Sequence, residues 1–464
     1  MLVSLIGIDL GTTFIKAGVL DLGTLQLKQV LRVPFPSALP GCPPLHREFD
    51  PNSVLAAVKA VLRDITPYAG DCEGVVMCTQ MHGVIFTTEQ GEARSNLTTW
   101  QDQRVLEAHP SGTGTYFDVM KSRLNADEIR QLGNELRAGL PIGLFFWMAE
   151  RETLPEQNLI PASLADFVIA NLCQTCPSVE VTNAMALGLL NLETLNWHEA
   201  VINKLGLTGL RLPEIKAQNA VSGWLDWNGR QIPCYPPIGD YQCAILGALL
   251  RRDELSLNIS TGSQVSLLKP KAEFGNFQTR PFFDGQFLNT ITHIPAGRAL
   301  NALVKLLSEL ATAQGIELTD PWATITQAAA KVTSTKLQAN LAFYSSAAGD
   351  EGAFTHIQED ELTVGHLFHA AFQSMAGNYL AFARRLSPDQ AWNQIVFSGG
   401  LVQKIDLLRQ LICDAFEAKY RLSPAEEDTL IGLMVLGLAV TGRTSNVAEA
   451  TARLSEAYNV EKVA

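Results

Sequence analysis

Short β-like apolar runs and longer helical periods succeed one another along the first eighty residues. Residues 4–9 are apolar, residues 11–13 read Gly-Thr-Thr, and residues 14–20 resume an apolar run, which predicts strand, turn, strand. Gly23 marks the next reversal and residues 25–33 predict a third strand, so the chain begins as an antiparallel meander. A loop carrying Pro34, Pro36, Pro40, Pro43 and Pro44 follows. Residues 52–65 have apolar positions at helical spacing behind Asp50 and Asn52 as caps, and residues 74–78 read as a short buried strand. Meander, helix, strand is an α/β pattern.

Residues 125–210 are rich in helix formers at periodic apolar spacing and predict a mostly helical middle. The texture changes over residues 221–239, where Trp, Gly and three prolines precede Gly239-Asp240, and this stretch is the expected domain boundary. Residues 255–259 then predict a strand, Thr261-Gly262-Ser263 a turn, and residues 264–268 a second strand. That unit echoes residues 4–20 and suggests two related halves whose turns face a shared cleft. The last third is helical, interrupted by a strand at residues 394–397 and a Ser398-Gly399-Gly400 turn.

Length supports the division. A chain of 464 residues exceeds what one core of about 250 to 300 residues holds, and 47% hydrophobic with 18% charged residues excludes a largely disordered chain. The net charge of −12 disfavours nucleic acid, so an anionic ligand must be met by backbone amides and a cation. No basic flank precedes the first apolar residues, and the run at residues 430–440 is too short to span a bilayer, so export and membrane insertion are not expected. Eight scattered cysteines fit thiols in a reducing cytoplasm, and Cys173 with Cys176 lacks the second ligand pair of a zinc site.

Several short segments carry candidate chemistry. Asp9, at a strand end before Gly11-Thr12-Thr13, combines a carboxylate suited to Mg²⁺ with a turn whose amides and hydroxyls suit phosphate, although the same residues also make an ordinary hairpin turn. Thr261-Gly262-Ser263 supplies a second loop of this type, and a triphosphate gripped from both sides would explain the pair. Gly399-Gly400 opens a helix without side chains, so a flat ring can approach the backbone there. His82 is a sugar contact or a satisfied core histidine, and Trp100 is expected in a core rather than on a sugar face. His366 and His369 sit three apart with no further metal ligands converging in sequence.

Residues 7–16, Gln80-Met81-His82-Gly83, residues 99–104, Gly239-Asp240, residues 258–263 and 396–400 occur in the order found in the FGGY carbohydrate kinases, which the chain resembles over essentially its whole length. Within that family it is most similar to the sedoheptulose-phosphorylating members. The resemblance implies an α/β fold of two ribonuclease H-like, actin-like ATPase domains flanking a catalytic cleft. Residues 1–235 would form the N-terminal domain with the sugar site and first phosphate loop, and residues 236–464 the C-terminal domain with the base and nucleotide site. It implies Asp240 as catalytic base and sugar contact, Asp9 on the Mg²⁺ side, and Gln80, Met81, His82 and Asp102 on the sugar. Gly11, Thr12, Thr13, Thr261, Gly262 and Ser263 would hold phosphates, and Gly399 and Gly400 the adenosine of ATP. Sugar and ATP are the implied partners, and a homodimer is left open. The rival readings are a xylulokinase-like or other ketose or polyol kinase, and a non-catalytic actin-like binding module. Phe14, Gln103 and Gln403 depart from the usual family residues, Gln103 beside the sugar motif.

Overall fold

The computed structural model describes residues 3–155, 158–424 and 427–460. Its first sheet begins with the expected meander, β1 (Val3–Leu10), β2 (Phe14–Asp21) and β3 (Gln26–Pro34). Strand β4 (Asp71–Thr79) pairs parallel with β1, and the hairpin β5 (Gly223–Trp227) and β6 (Arg230–Cys234) with the short β7 (Ile238–Gly239) completes the sheet beyond β4.

The second sheet repeats the plan. Strands β8 (Glu254–Ile259) and β9 (Gly262–Lys269) form the antiparallel hairpin, and β10 (Gln278–Pro281) and β11 (Phe287–Pro295) extend it past β9. On the other side of β8, β12 (Gln394–Ser398) and β13 (Lys419–Leu422) are parallel. The orders β3-β2-β1-β4-β6 and β11-β9-β8-β12-β13 therefore match in sequence of pairing and in direction, giving two ribonuclease H-like units.

Helix α1 (Pro51–Ala69) starts where Asp50 accepts the amides of Asn52 and Ser53. With α2 (Leu164–Cys173) it covers one face of the first sheet, meeting Ile6, Ile8, Leu10, Val75 and Met77. After the first sheet comes α3 (Asp240–Gly247); α4 (Gly297–Ala313) and α5 (Val364–Leu386) cover the outer face of the second sheet, and α6 (Asp428–Val440) follows β13. Helices α3 and α6 fill the space between the sheets, against Leu5, Val76 and Cys78 from one side and Leu268, Leu288 and Val396 from the other. Residues 5–8 of β1 and 74–78 of β4 are buried on both faces and read as continuous apolar runs, whereas β8, also largely buried, alternates Leu255, Leu257 and Ile259 with Glu254, Ser256 and Asn258.

Helices α3 and α6 cross at reciprocal glycines. A Cβ on Gly432 would overlap the Cys243 backbone, and one on Gly247 the Asp428 backbone, so only glycine permits this approach. Asp240, at the start of α3, and Thr429, in the first turn of α6, line one cavity beside this crossing. The middle of the chain is less helical than its periodicity predicts. Helices of six to ten residues alternate there with short strands at residues 160–162, 178–180 and 190–191, because the segment wraps the sheet edge with a small core of its own. Among the described residues no helix is long and apolar enough to cross a membrane.

Candidate active site

The β1–β2 hairpin places Asp9 opposite Lys16 and beside Cys78 of β4. The carboxylate is 4% exposed. Its Oδ2 accepts the Thr429 hydroxyl at 2.7 Å and pairs with Lys16 Nζ at 3.3 Å, while Oδ1 has no hydrogen-bond partner. Lys16 also reaches Glu427 at 3.0 Å, so the loop and the approach to α6 are held by one chain of charges. In the turn, the Gly11 amide donates to the Phe14 carbonyl at 3.1 Å, and the Thr12 hydroxyl donates to Gln80 Oε1 at 3.3 Å.

Trp100 corrects the core expectation. It is 45% exposed and its indole N–H donates to Thr12 Oγ1 at 3.4 Å, because an indole with a polar partner at a cleft rim need not be buried.

Asp240 opens α3 directly after β7. Burial, and after it the negative Asp9, pushes its carboxyl up to about 7, while backbone amides of the first helical turn pull the other way. Asp9, Gly11, Thr12, Gln80, Met81, His82 and Asp240 all line one open cleft of about 810 Å³. Gly399 and Gly400 line an adjoining cavity of about 700 Å³ with Lys16 and Gln403, and Ala244 and Thr429 line both, so the two run together. Gly399 has φ +91°, and a side chain there would press on the Ile259 backbone.

Thr13, Asp102, Thr261, Gly262 and Ser263 lie outside both linings. The second loop is shorter than expected: its turn is Ser260 and Thr261, and Gly262 and Ser263 already belong to β9. The Ser263 hydroxyl turns inward, donating to the Ile294 carbonyl at 3.1 Å and accepting from Tyr379 at 2.9 Å. Asp102 is engaged too. Arg104 Nε donates to its Oδ1 at 2.8 Å, Arg104 Nη2 to Oδ2 at 2.7 Å and the Arg47 amide to Oδ2 at 2.7 Å, so this carboxylate holds a buried arginine instead of facing the cleft.

The sequence reading missed the charged end of the cleft. Arg137, Arg280 and His293 line it with His82. The Ala186 carbonyl lies 3.0 Å from His82 Nδ1, and Arg137 Nη2 lies 2.8 Å from Nε2. A guanidinium only donates, so Nε2 accepts, Nδ1 carries the proton and the ring is neutral. Burial first, and then Arg137, accordingly pushes His82 down to about 3. Arg280 reaches both oxygens of the buried Glu135, from Nε at 2.8 Å and from Nη2, and lies over the Tyr241 ring at 4.7 Å. Although burial raises the Glu135 carboxyl, Arg280 and Arg137 hold it below its usual range. One signal was available in sequence, since Arg280 stands in the otherwise uncharged run Gln278-Thr279-Arg280-Pro281-Phe282-Phe283. Arg137 carried no such mark.

Residues 4–245, more than half the chain, match the family described as "FGGY family of carbohydrate kinases, N-terminal domain". Human sedoheptulokinase is 25% identical over 463 residues, covering 89% of this chain and 92% of that protein. A glycerol kinase of Solidesulfovibrio magneticus is 24% identical over 273 residues, covering 55% of this chain and 52% of that one. Among solved structures, Plasmodium falciparum glycerol kinase with ADP superposes with a TM-score of 0.84 at 18% identity, covering 98% of this chain and 92% of that one. A ligand-bound xylulose kinase of Lactobacillus acidophilus gives 0.80 at 18%, covering 99% and 96%. These likenesses show the two-domain fold.

Proposed function

The chain belongs to the FGGY family of carbohydrate kinases, and from that membership we propose that it transfers the γ-phosphoryl group of ATP to a terminal hydroxyl of a ketose, with Asp240 as general base. One observation carries the proposal: Asp240 and Asp9, brought from separate strand ends, line a single cleft with Gln80 and His82. Phosphoryl transfer has a loose transition state, so the protein's task is alignment, charge neutralisation and acceptance of one proton. Asp240 takes the proton of the attacking hydroxyl. Gln80, Met81 and His82 hold the acceptor, and the neutral His82 presents no charge of its own. The adjoining cavity at Gly399 and Gly400 takes the nucleotide, and Gly11 and Thr12 face its phosphates.

Magnesium fits the residues present. Asp9 Oδ1 is an unpartnered buried acceptor, and Mg²⁺ is usually held by one or two carboxylates together with substrate phosphates and water. Among the described residues no group of three or more His, Cys, Asp or Glu could hold a metal without such help. When bound, the ion supplies neutralisation of phosphate charge. The first-domain residues thus serve the sugar and first phosphate loop, and those after residue 235 the base and nucleotide, in a reducing cytoplasm.

Sedoheptulose is the leading acceptor, on the strength of a long relative that covers nearly the whole chain. An ADP-release assay over a panel of ketoses and polyols tests both activity and acceptor. Sugar-dependent release, highest with sedoheptulose, is expected; release that ignores sugar, or none, would sink the kinase mechanism.

A further inference from the structure

The spacing of Cys173 and Cys176 suggests a pairing between those two, yet the fold gives Cys173 a different neighbour. Cys173 is the last residue of α2 and is partly exposed, while Cys234 is the last residue of β6 and is fully buried. In the β5–β6 hairpin Gly223 stands directly opposite Cys234. A Cβ on Gly223 would lie 2.5 Å from the Cys173 Cβ and 2.9 Å from its Sγ, so Cys173 fills the space that a side chain at 223 would take. Directly paired residues of an antiparallel ladder point to one face with Cβ atoms about 4.5 to 5.5 Å apart. The two cysteines therefore meet on that face, and their thiols share a hydrogen bond.

Within that pair the roles are unequal. The hydrogen bond from Cys234 holds the Cys173 thiol below its usual range although burial opposes it, and the same bond, with burial after it, pushes Cys234 well up. Cys173 thus combines thiolate character with access to solvent, the two conditions for attack on an oxidant. The neighbouring cysteines lack one or the other. Cys72 is buried, its thiol donates to the Gly74 carbonyl at 3.3 Å and burial raises it, and Cys176 is exposed but is also pushed up, chiefly by burial. Neither Cys173 nor Cys234 lines the catalytic cleft or the cavity adjoining it.

We propose that Cys173 and Cys234 are a site of reversible oxidative modification, at which a small hydroperoxide joins the end of α2 to the end of β6 through a disulfide. The Cys173 sulfur attacks one peroxide oxygen, the O–O bond breaks, and Cys173 becomes a sulfenic acid as water or an alcohol leaves. The Cys234 sulfur then attacks the sulfenic sulfur, its proton goes to the departing hydroxyl as water, and the S–S bond forms. The two thiols give up two electrons and two protons, and the hydroperoxide takes them up. A dithiol reverses the bond by exchange, as befits a disulfide in a reducing compartment. The bond closes a loop of about 60 residues, which restricts the unfolded chain. Inside that loop the Thr182 hydroxyl accepts the Gly239 amide at 2.9 Å and the Asn183 side chain donates to the Pro237 carbonyl at 2.8 Å. The modification therefore secures the segment that braces the strand leading to Asp240.

The test treats the full folded chain with hydrogen peroxide, blocks remaining thiols by alkylation, and maps disulfides by mass spectrometry of an unreduced digest. A Cys173–Cys234 bond should be the main product, forming about 10-fold faster than oxidation of any other cysteine and disappearing with dithiothreitol. The oxidised chain should melt several degrees higher than the reduced one. Cys173→Ser should abolish both the bond and the shift. Cys234→Ser should leave Cys173 as a sulfenic acid that dimedone labels. A main product joining Cys173 to Cys176, or Cys72 to Cys234, would overturn the inference, and so would sulfinic acid at Cys173 without a crosslink, since the partner thiol would then be out of reach. A melting temperature that falls or stays still on oxidation would also overturn it. Should Cys234→Ser fail to fold, the disulfide map of the unaltered protein and Cys173→Ser decide. None of these readouts depends on the acceptor sugar, so the kinase mechanism stands or falls separately.

Discussion

The two hairpins at the heart of the molecule share topology and differ in charge. In register, Asp9 faces Lys16 in the first and Asn258 faces Gln264 in the second. The parallel neighbour is Cys78 in one and Ser398 in the other. The first turn spans three residues and lies open to the cleft, whereas the second spans two and sends its serine hydroxyl into the core. A repeated fold thus carries one charged and one neutral edge beside the same cleft, whose lining also includes Asn258 and Gln264. The same architecture supports both because the strand ladder constrains backbone positions and leaves side chains at the turn free to diverge.

That contrast can be broken from either side. The largest effect is expected at the helix between the sheets: Asp240→Asn should lower kcat by about 10³-fold with ADP affinity nearly unchanged, because it removes a proton acceptor and no phosphate contact. Single-turnover kinetics beside calorimetric ADP binding would show it, and substantial residual transfer would take Asp240 out of the base role. Next, Asp9→Asn makes the charged hairpin resemble the neutral one, and should cost about 100-fold in kcat together with a higher Mg²⁺ requirement. If Mg²⁺ titration curves for the two proteins coincide, the hairpins do not differ in the way described. Ser263→Ala should act on folding instead, lowering stability by about 1 to 3 kcal/mol as the buried Tyr379 hydroxyl loses its acceptor. A denaturant midpoint that does not move, alongside weaker ADP binding, would return Ser263 to the phosphate loop.

Buried acids fall into two kinds, those forced neutral without a cation and those held ionised by one, and this gives the smallest prediction. In the second, Glu254 is held below its usual range despite burial by Arg421, which donates from Nε at 2.8 Å. In the first, Asp166 is pushed up to about 8 and Glu180 to about 7, chiefly by burial, with hydroxyl and amide partners and no cation in contact. Their folded values exceed the ordinary 3.8 and 4.5, so between about pH 4 and 8 the folded chain binds more protons than the unfolded one. Stability should therefore fall as pH rises through that window. Asp166→Asn should flatten the decline in melting temperature between pH 5 and 8, and an unchanged slope would assign the effect elsewhere.

Much of the fold was legible because its signals are local. The β1–β2 turn, the Asp50 cap and the apolar runs of β1 and β4 each depend on residues within a few positions of one another. The same holds for Asp9, Gln80 to His82 and Asp240, which sit at strand ends where short motifs meet the cleft. Trp100 was misplaced, and Asp102 and Ser263 lie outside the cleft lining, because each answers to a partner remote in sequence or to a rim geometry: Thr12 for the indole, Glu48 through Arg104 for the aspartate, Tyr379 for the serine.

Sequence alone determined the order of the elements, the α/β alternation, the charged first hairpin and the carboxylate at the start of α3, since backbone pattern and turn chemistry are short-range. Tertiary structure decided which charges meet. Arg137, Arg280 and His293 come together because two sheets close on α3 and α6, and Glu135 and Arg280 stand 145 residues apart along the chain. The strength of an ion pair depends on distance and burial, and neither is written in the spacing of residues along a chain.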